Sequence, residues 1–197
     1  MERGPFGWCV INLEHTKTMH IDWAKLSDVL DCGSSGGTHL ARRALAEILG
    51  EDAIKEAVDY YIAGGAGSEL ARSVLWQLRP QAGMNYCYQI FKEATDAERR
   101  CSAVELLRVV ADETALKWVP EFLNDPDEGI QIWGAGVVDQ LLWSRLIDEE
   151  DCQVILSAMA RHPNAQVRER VEFISKFLED RNSDCASARG PEASDDG

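Results

Sequence analysis

Apolar residues recur every three or four positions along most of the chain, a spacing that collects them on one face of an α-helix. Gly, Pro and polar residues interrupt this pattern at short intervals. The pattern therefore predicts an all-α chain of about nine helices, preceded by a short helix around Trp23. The predicted helices cover 39–49, 51–63, 69–79, 83–94, 96–110, 113–124, 126–143, 149–161 and 164–179.

Polar residues predict where these helices begin. A side-chain oxygen just before a helix can accept a hydrogen bond from an N–H group of its first turn. Residues of this kind stand before several predicted helices, at Asp22, Thr38, Ser68, Thr95, Asp112, Asp125 and Asp148. Pro120 lies inside the predicted helix 113–124, where its ring predicts either a kink or a helix end near Val119.

Segments of the chain are similar to one another at intervals of about 30 residues, which is typical of helical repeats. The similar segments are 40–49, 70–78, 100–107, 125–135 and 164–173. One aligned position holds Arg42, Arg72, Arg100, Gln131 and Arg168 in the successive copies. This pattern resembles HEAT repeats, whose first helix opens with Asp-Pro followed by a Val-Arg pair and a small residue.

The resemblance covers 38–179 and implies an all-α solenoid of about nine helices in four to five HEAT-like hairpins. The predicted organisation is a short N-terminal arm with one helix (1–37), the repeat domain (38–179) and a disordered acidic tail (180–197). A generic all-α bundle is the alternative fold.

Charge and composition restrict the possible partners. Acidic residues outnumber basic ones by 34 to 20, for a net charge of −14. Binding to nucleic acid or to anionic lipid is not expected, because both need clustered Lys and Arg. A basic protein partner is favoured instead, since a negative field steers it into contact. With no apolar run of about 18 residues and six scattered cysteines, we expect a cytoplasmic protein without membrane spans.

Candidate chemistry is sparse. The glycine-rich loop Cys32–Gly37 precedes a helix but lacks the Gly-Lys-Ser/Thr ending of a phosphate-binding loop, so a flexible joint is favoured. His15 and His20 lie near Cys9 and Cys32 in the sequence, but at spacings that do not suit zinc. No nucleophile–base motif is present. We therefore expect no catalytic site, no metal and no cofactor.

The resemblance implies that second helices of the hairpins line a concave binding face. Tyr and Trp are favoured at such faces because they combine a large area with a polar tip. The candidate partner-binding residues are Asp59, Tyr60, Tyr86, Lys117, Trp118, Glu121 and Glu150, with Tyr61 and Tyr88 nearby in the sequence. For any single one of these aromatic residues a place in the core is favoured, but at least two of the set are expected to be exposed. Arg42, Arg43 and Arg72 are expected to cap helices or to pair between repeats.

The expected function is therefore non-catalytic protein binding through an acidic concave surface. Its most specific form resembles an immunity-type inhibitor that occludes a basic toxin. Two alternatives stay open: a lyase-type or cofactor-handling HEAT-repeat component similar to bilin lyases, and an assembly scaffold.

Overall fold

The computed structural model describes residues 22–30 and 37–188, and these ranges are helical without a strand. The prediction of an all-α chain is confirmed for them. Residues 1–21, 31–36 and 189–197, which include most of the predicted arm and the end of the predicted tail, lie outside the described residues. The helices are α1 (Trp23–Val29), α2 (Thr38–Ile62), α3 (Ser68–Leu78), α4 (Gln81–Glu93), α5 (Ala97–Val110), the 3₁₀ helix η1 (Glu113–Trp118), α6 (Val119–Leu123), α7 (Glu128–Trp143), α8 (Glu149–Met159) and α9 (Ala165–Ala188).

Two sequence breaks appear where they were expected. Gly50 has φ 78° and ψ 161°, so α2 consists of two helical segments that match the predicted 39–49 and 51–63. Pro120 lies in the first turn of α6, where its missing N–H leaves no hydrogen bond unmade. Of the two outcomes predicted for Pro120, the structure has a helix boundary at Val119. At the other end, α9 continues to Ala188, beyond residue 180 where the tail was predicted to begin.

The caps predicted at Asp22, Asp112 and Asp148 are confirmed. The Lys25 N–H donates to Asp22 Oδ1 at 3.0 Å, and the Thr114 N–H donates to Asp112 Oδ1 at 2.9 Å. Asp148 precedes α8, and its own N–H is bound by a first-turn carboxylate.

Four other predicted caps are wrong by one or two residues. Glycines occupy the cap positions of α2 and α3, which makes Thr38 and Ser68 the first helical residues.

Asp96 replaces Thr95 at α5 and accepts from the Arg99 N–H at 3.0 Å. Asp127 replaces Asp125 at α7 and accepts from the Ile130 N–H at 3.0 Å. In the last two cases a second acceptor stands within two residues, so the local sequence does not decide which one forms the cap.

The hydrophobic core extends from α2 to α9, and α7 lies at its centre. Helix α7 packs on α5 and α6 and also contacts α8, α9 and η1. A glycine on α7 lets α6 and α7 approach each other closely. A Cβ added at Gly134 would lie 2.3 Å from Phe122 Cβ on α6. No helix in the described ranges combines the length and the apolar character needed to cross a membrane.

The side chains of Arg100, Asp125, Gln131, Asn164 and Arg168 form a row of hydrogen bonds, which we call the turn ladder. Arg100 donates Nε–H to the Phe91 carbonyl at 3.0 Å, and its guanidinium forms an ion pair with the buried Asp125. Gln131 donates to the Asp125 carbonyl at 2.8 Å and accepts from Asn164 Nδ2 at 3.0 Å.

The ladder ends at Arg168, whose Nη1 donates to the carbonyls of His162 and Pro163 at 2.6 and 2.8 Å. Arg100, Gln131 and Arg168 are the residues that the repeat alignment placed at one position. Each binds a backbone carbonyl in the turn before its own helix or in the last turn of the preceding helix. The alignment therefore identifies a shared structural role in these three copies.

We predict that Gly134→Ala lowers the free energy of unfolding by about 1–3 kcal/mol, because the added methyl group must push α7 away from Phe122. In an exposed helix the same substitution raises the free energy of unfolding by about 1 kcal/mol. A decrease in Gly134→Ala therefore indicates the close contact with Phe122. Urea unfolding followed by circular dichroism measures it. Gly65→Ala is the control, since its added Cβ meets only Tyr60 at 3.9 Å. Equal stability of the two variants would contradict the close α6–α7 contact.

We predict different costs for two neighbouring aspartates. Asp125→Ala leaves the guanidinium of Arg100 without its carboxylate in a largely buried site, which costs about 3–5 kcal/mol. Asp127→Ala removes only a helix cap and costs about 1 kcal/mol. Urea unfolding again measures the loss of stability in both variants. A larger loss in Asp127→Ala than in Asp125→Ala would contradict this assignment of the ion pair and the cap.

Candidate functional site

Six of the seven predicted binding residues lie in or next to two polar clusters that connect neighbouring helices. The first cluster is centred on Asp59, in the second segment of α2. Tyr86 Oη donates to Asp59 Oδ2 at 3.0 Å, and Arg99 Nη2 donates to Asp59 Oδ1 at 2.6 Å. Burial, then the hydrogen bond to Asp59, raises the pKa of Tyr86. Both oxygens of this carboxylate are therefore engaged within the chain.

Tyr60 is the one exposed aromatic residue among the predicted seven, with 48% of its surface accessible. Its hydroxyl donates to the Ala66 carbonyl in the turn between α2 and α3. The hydroxyl of Tyr60 therefore caps this glycine-rich turn, while about half of the residue stays exposed to solvent.

The second cluster lies between α4 and α6. Glu121 accepts from Tyr88 Oη at 2.8 Å and from Lys92 Nζ at 2.6 Å. The Tyr88 ring stacks on Trp118, with centroids 4.2 Å apart and an interplanar angle of 9°. Lys117 Nζ lies 5.0 Å from the centre of the Trp118 ring, within the range of a cation–π contact.

Trp118 is a correction to the predicted surface. Only 8% of it is exposed, and it belongs to the hydrophobic core together with Phe122. Tyr61, Tyr86 and Tyr88 are half-buried, so the expectation of at least two exposed aromatic residues was wrong. Helical spacing favoured a core position for Trp118 taken singly, and Tyr88 from another helix supplies its stacking partner.

Glu150 lies apart from both clusters, in the first turn of α8. Glu149, Glu150 and Asp151 are all exposed there, beside the cap Asp148. Asp151 accepts from the Asp148 N–H at 2.9 Å, whereas the side chains of Glu149 and Glu150 have no partner among the described residues. The positive end of the helix dipole favours this concentration of carboxylates.

Sequence reasoning missed the cations that neutralise the predicted acids. Arg99 and Lys92 come from helices other than those of Asp59 and Glu121, and no local spacing signals such a pair. Arg72 behaves partly as expected, because its guanidinium lies 3.8 Å from Glu105 on α5. Arg42 and Arg43 have no ion-pair partner in the part of the chain that the structure describes.

The described residues offer little for catalysis or metal binding. Burial raises the pKa of the Cys87 and Cys152 thiols, the latter to about 11, which keeps both protonated at neutral pH. His162 bridges the Leu123 carbonyl and the Asn164 N–H, a structural role. Within 22–30 and 37–188 no three His, Cys, Asp or Glu side chains are arranged for a metal, and His15, His20, Cys9 and Cys32 lie outside these ranges.

Searches with this chain found no matching protein family, no matching curated protein and no matching solved structure.

We predict that the pKa of Glu121 lies below its ordinary value because Lys92 and then Tyr88 donate hydrogen bonds to the carboxylate. Lys92→Met should raise this pKa more than Tyr88→Phe does, since the hydrogen bond from Lys92 is the larger cause. Any stability from this depressed pKa is present above the unfolded pKa and is lost as the pH falls through the folded one. Carboxyl-carbon NMR titration of the three proteins measures the order, and an unchanged pKa in Lys92→Met would contradict the pairing.

Proposed function

We propose that the chain is a HEAT-like α-solenoid that binds a basic protein and has no catalytic role. In the most specific form of this proposal it is an immunity-type inhibitor that covers the basic functional surface of a toxin. The observation that supports it best is the unpaired acidic first turn of α8, with Glu149 and Glu150 exposed and without partners among the described residues.

The helix contacts support the solenoid part of the proposal. The first helices of successive hairpins touch in order, α3 with α5, α5 with α7 and α7 with α9. The turn ladder joins the turns after α4, α6 and α8 on one edge of this array. A generic bundle does not require either regularity.

In this proposal the second helices of the hairpins, which carry Tyr60 and Glu150, line the concave face of the array.

The charge distribution supports a basic partner. Asp59 and Glu121 are neutralised by Arg99 and Lys92, so they contribute little net field at the surface. Glu149 and Glu150 are not neutralised, and an exposed unpaired carboxylate raises the association rate with a cationic surface. The binding surface we propose is therefore the first turn of α8 and its surroundings.

We predict that a partner co-purifying from the natural host at low salt is basic and is released by high salt. Mass spectrometry identifies the partner. Binding is then measured with the purified pair in about 50 and about 500 mM NaCl, where the Debye length is roughly 14 and roughly 4 Å. Glu149→Gln with Glu150→Gln should weaken binding about tenfold, mainly through the association rate. An affinity that does not change with salt would contradict the proposal.

The matched control is Glu169→Gln with Glu172→Gln, which makes the same charge change at two exposed positions of α9. It should leave the affinity within about twofold, because it alters net charge but not the α8 surface. Equal losses in both variants would show that only overall charge matters. A protein that purifies alone and holds a small molecule would instead favour the cofactor-handling alternative, and self-association without inhibition would favour a scaffold.

A further inference from the structure

A cleft of about 640 Å³ lies between α2, the turn from α3 to α4, and α4 itself. This volume falls in the range of small-molecule sites. Its walls include the apolar residues Ile54 and Pro80 and the cations Arg43, Lys55 and Arg79. It does not include the first turn of α8, so it is separate from the surface proposed above for a basic partner.

Arg79 stands in this cleft with an unusual backbone. Its φ is 44°, in the left-handed region that L-residues other than Asn and Asp rarely adopt, and Pro80 follows it. Glycine would adopt this conformation without strain. The side chain is held in place, because Arg79 Nη2 donates to Ser144 Oγ at 3.0 Å at the end of α7. The left-handed conformation ends α3 at Arg79, and the hydrogen bond to Ser144 fixes the position of the guanidinium.

Two of the three cations of the cleft lack acidic partners. Arg43 and Arg79 form no ion pair within the described ranges, although acids far outnumber bases in the chain. Burial, followed by the nearby charge of Arg42, lowers the pKa of Arg79, and no carboxylate acts on it. Arg42 is not part of the cleft wall, but its positive charge acts on Arg79, and an anion bound at Arg79 would relieve that repulsion.

The acids of the cleft are mostly engaged elsewhere. Glu51 pairs with Lys55 at 2.6 Å, and Asp112 accepts from the N–H and hydroxyl groups of Thr114. Glu47 is the remaining acid, one helical turn from Arg43 and without a partner among the described residues. The cationic end of the cleft therefore keeps free N–H donors.

We propose that this cleft binds a small organic anion, whose carboxylate or phosphate group lies between Arg43 and Arg79 and whose apolar part contacts Ile54 and Pro80. Guanidinium groups suit both oxoanions, because their parallel N–H donors match two oxygens at once. The apolar wall selects an anion with a hydrocarbon or ring portion over an inorganic ion.

The test is an NMR titration of the ¹⁵N-labelled full chain with benzoate, phenyl phosphate and benzyl alcohol, which share a ring and differ in charge. We expect saturable shifts of the Arg79 and Arg43 Nε–H signals, with a Kd on the order of 1 mM for at least one anion. Benzyl alcohol should give none. The anion with the lower Kd shows whether the site prefers a carboxylate or a phosphate.

Three variants make the test specific. Arg43→Gln, at an exposed position, should weaken anion binding at least fivefold. Arg79→Gly should remove it and keep the fold, because glycine accepts the positive φ. Arg161→Gln is the matched control: Arg161 is exposed and unpaired, outside the cleft, and its loss should leave the affinity unchanged. The proposal is overturned if neither anion saturates, if Arg43→Gln binds as the wild type does, or if all arginines shift alike.

Discussion

The turn ladder is the constraint on which the arrangement of the helices depends most. An apolar core tolerates many packings, but a buried polar group must find its hydrogen-bond partner or cost free energy. Arg100, Gln131 and Arg168 satisfy carbonyls at successive turns, and the Arg100–Asp125 ion pair fixes α5 against the turn before α7. Sliding one hairpin along the next would leave these groups unpaired, so the ladder sets the register that the core alone does not.

The ladder also explains the departure of Gln131 from the arginine pattern. Gln131 donates to the Asp125 carbonyl and at the same time accepts from Asn164. A guanidinium has five donors and no acceptor, so arginine could bind the carbonyl but not Asn164. The substitution therefore joins two turns through one side chain. In the sequence Gln131 only departs from the arginine of the other copies, whereas in the structure it makes a contact that arginine could not make.

Local signals predicted the helices well, and long-range contacts account for what they missed. Helical spacing, Gly50 and the acids before α8 all act within a few residues, so they could be interpreted from the sequence. Asp125 could not, because Arg100 determines its role from 25 positions away and leaves the cap to Asp127. Trp118 is buried by Tyr88 from another helix.

The candidate binding residues divide in the same way. Asp59 and Glu121 look like free carboxylates in the sequence, yet Arg99 and Lys92 approach them from other helices. Glu150 has no cation beside it because its neighbours in the chain are acids, and the start of a helix favours carboxylates there. The exposed position of Glu150 follows from its local sequence, whereas the pairing of Asp59 and Glu121 requires the fold, and partner binding by these three acids stays a prediction.

The two proposed sites must respond differently to ionic strength. The field of a chain with net charge −14 attracts a basic protein and repels a small anion at distances beyond the contact itself. At about 0.1 M salt the Debye length is roughly 10 Å, so this long-range part is screened first. Contacts between Arg43, Arg79 and an anion inside the cleft are shorter and partly shielded from solvent, so they are screened less. Added salt therefore removes the attraction that favours the basic partner and the repulsion that opposes the anion, which makes the cleft compatible with the acidity of the chain as a whole.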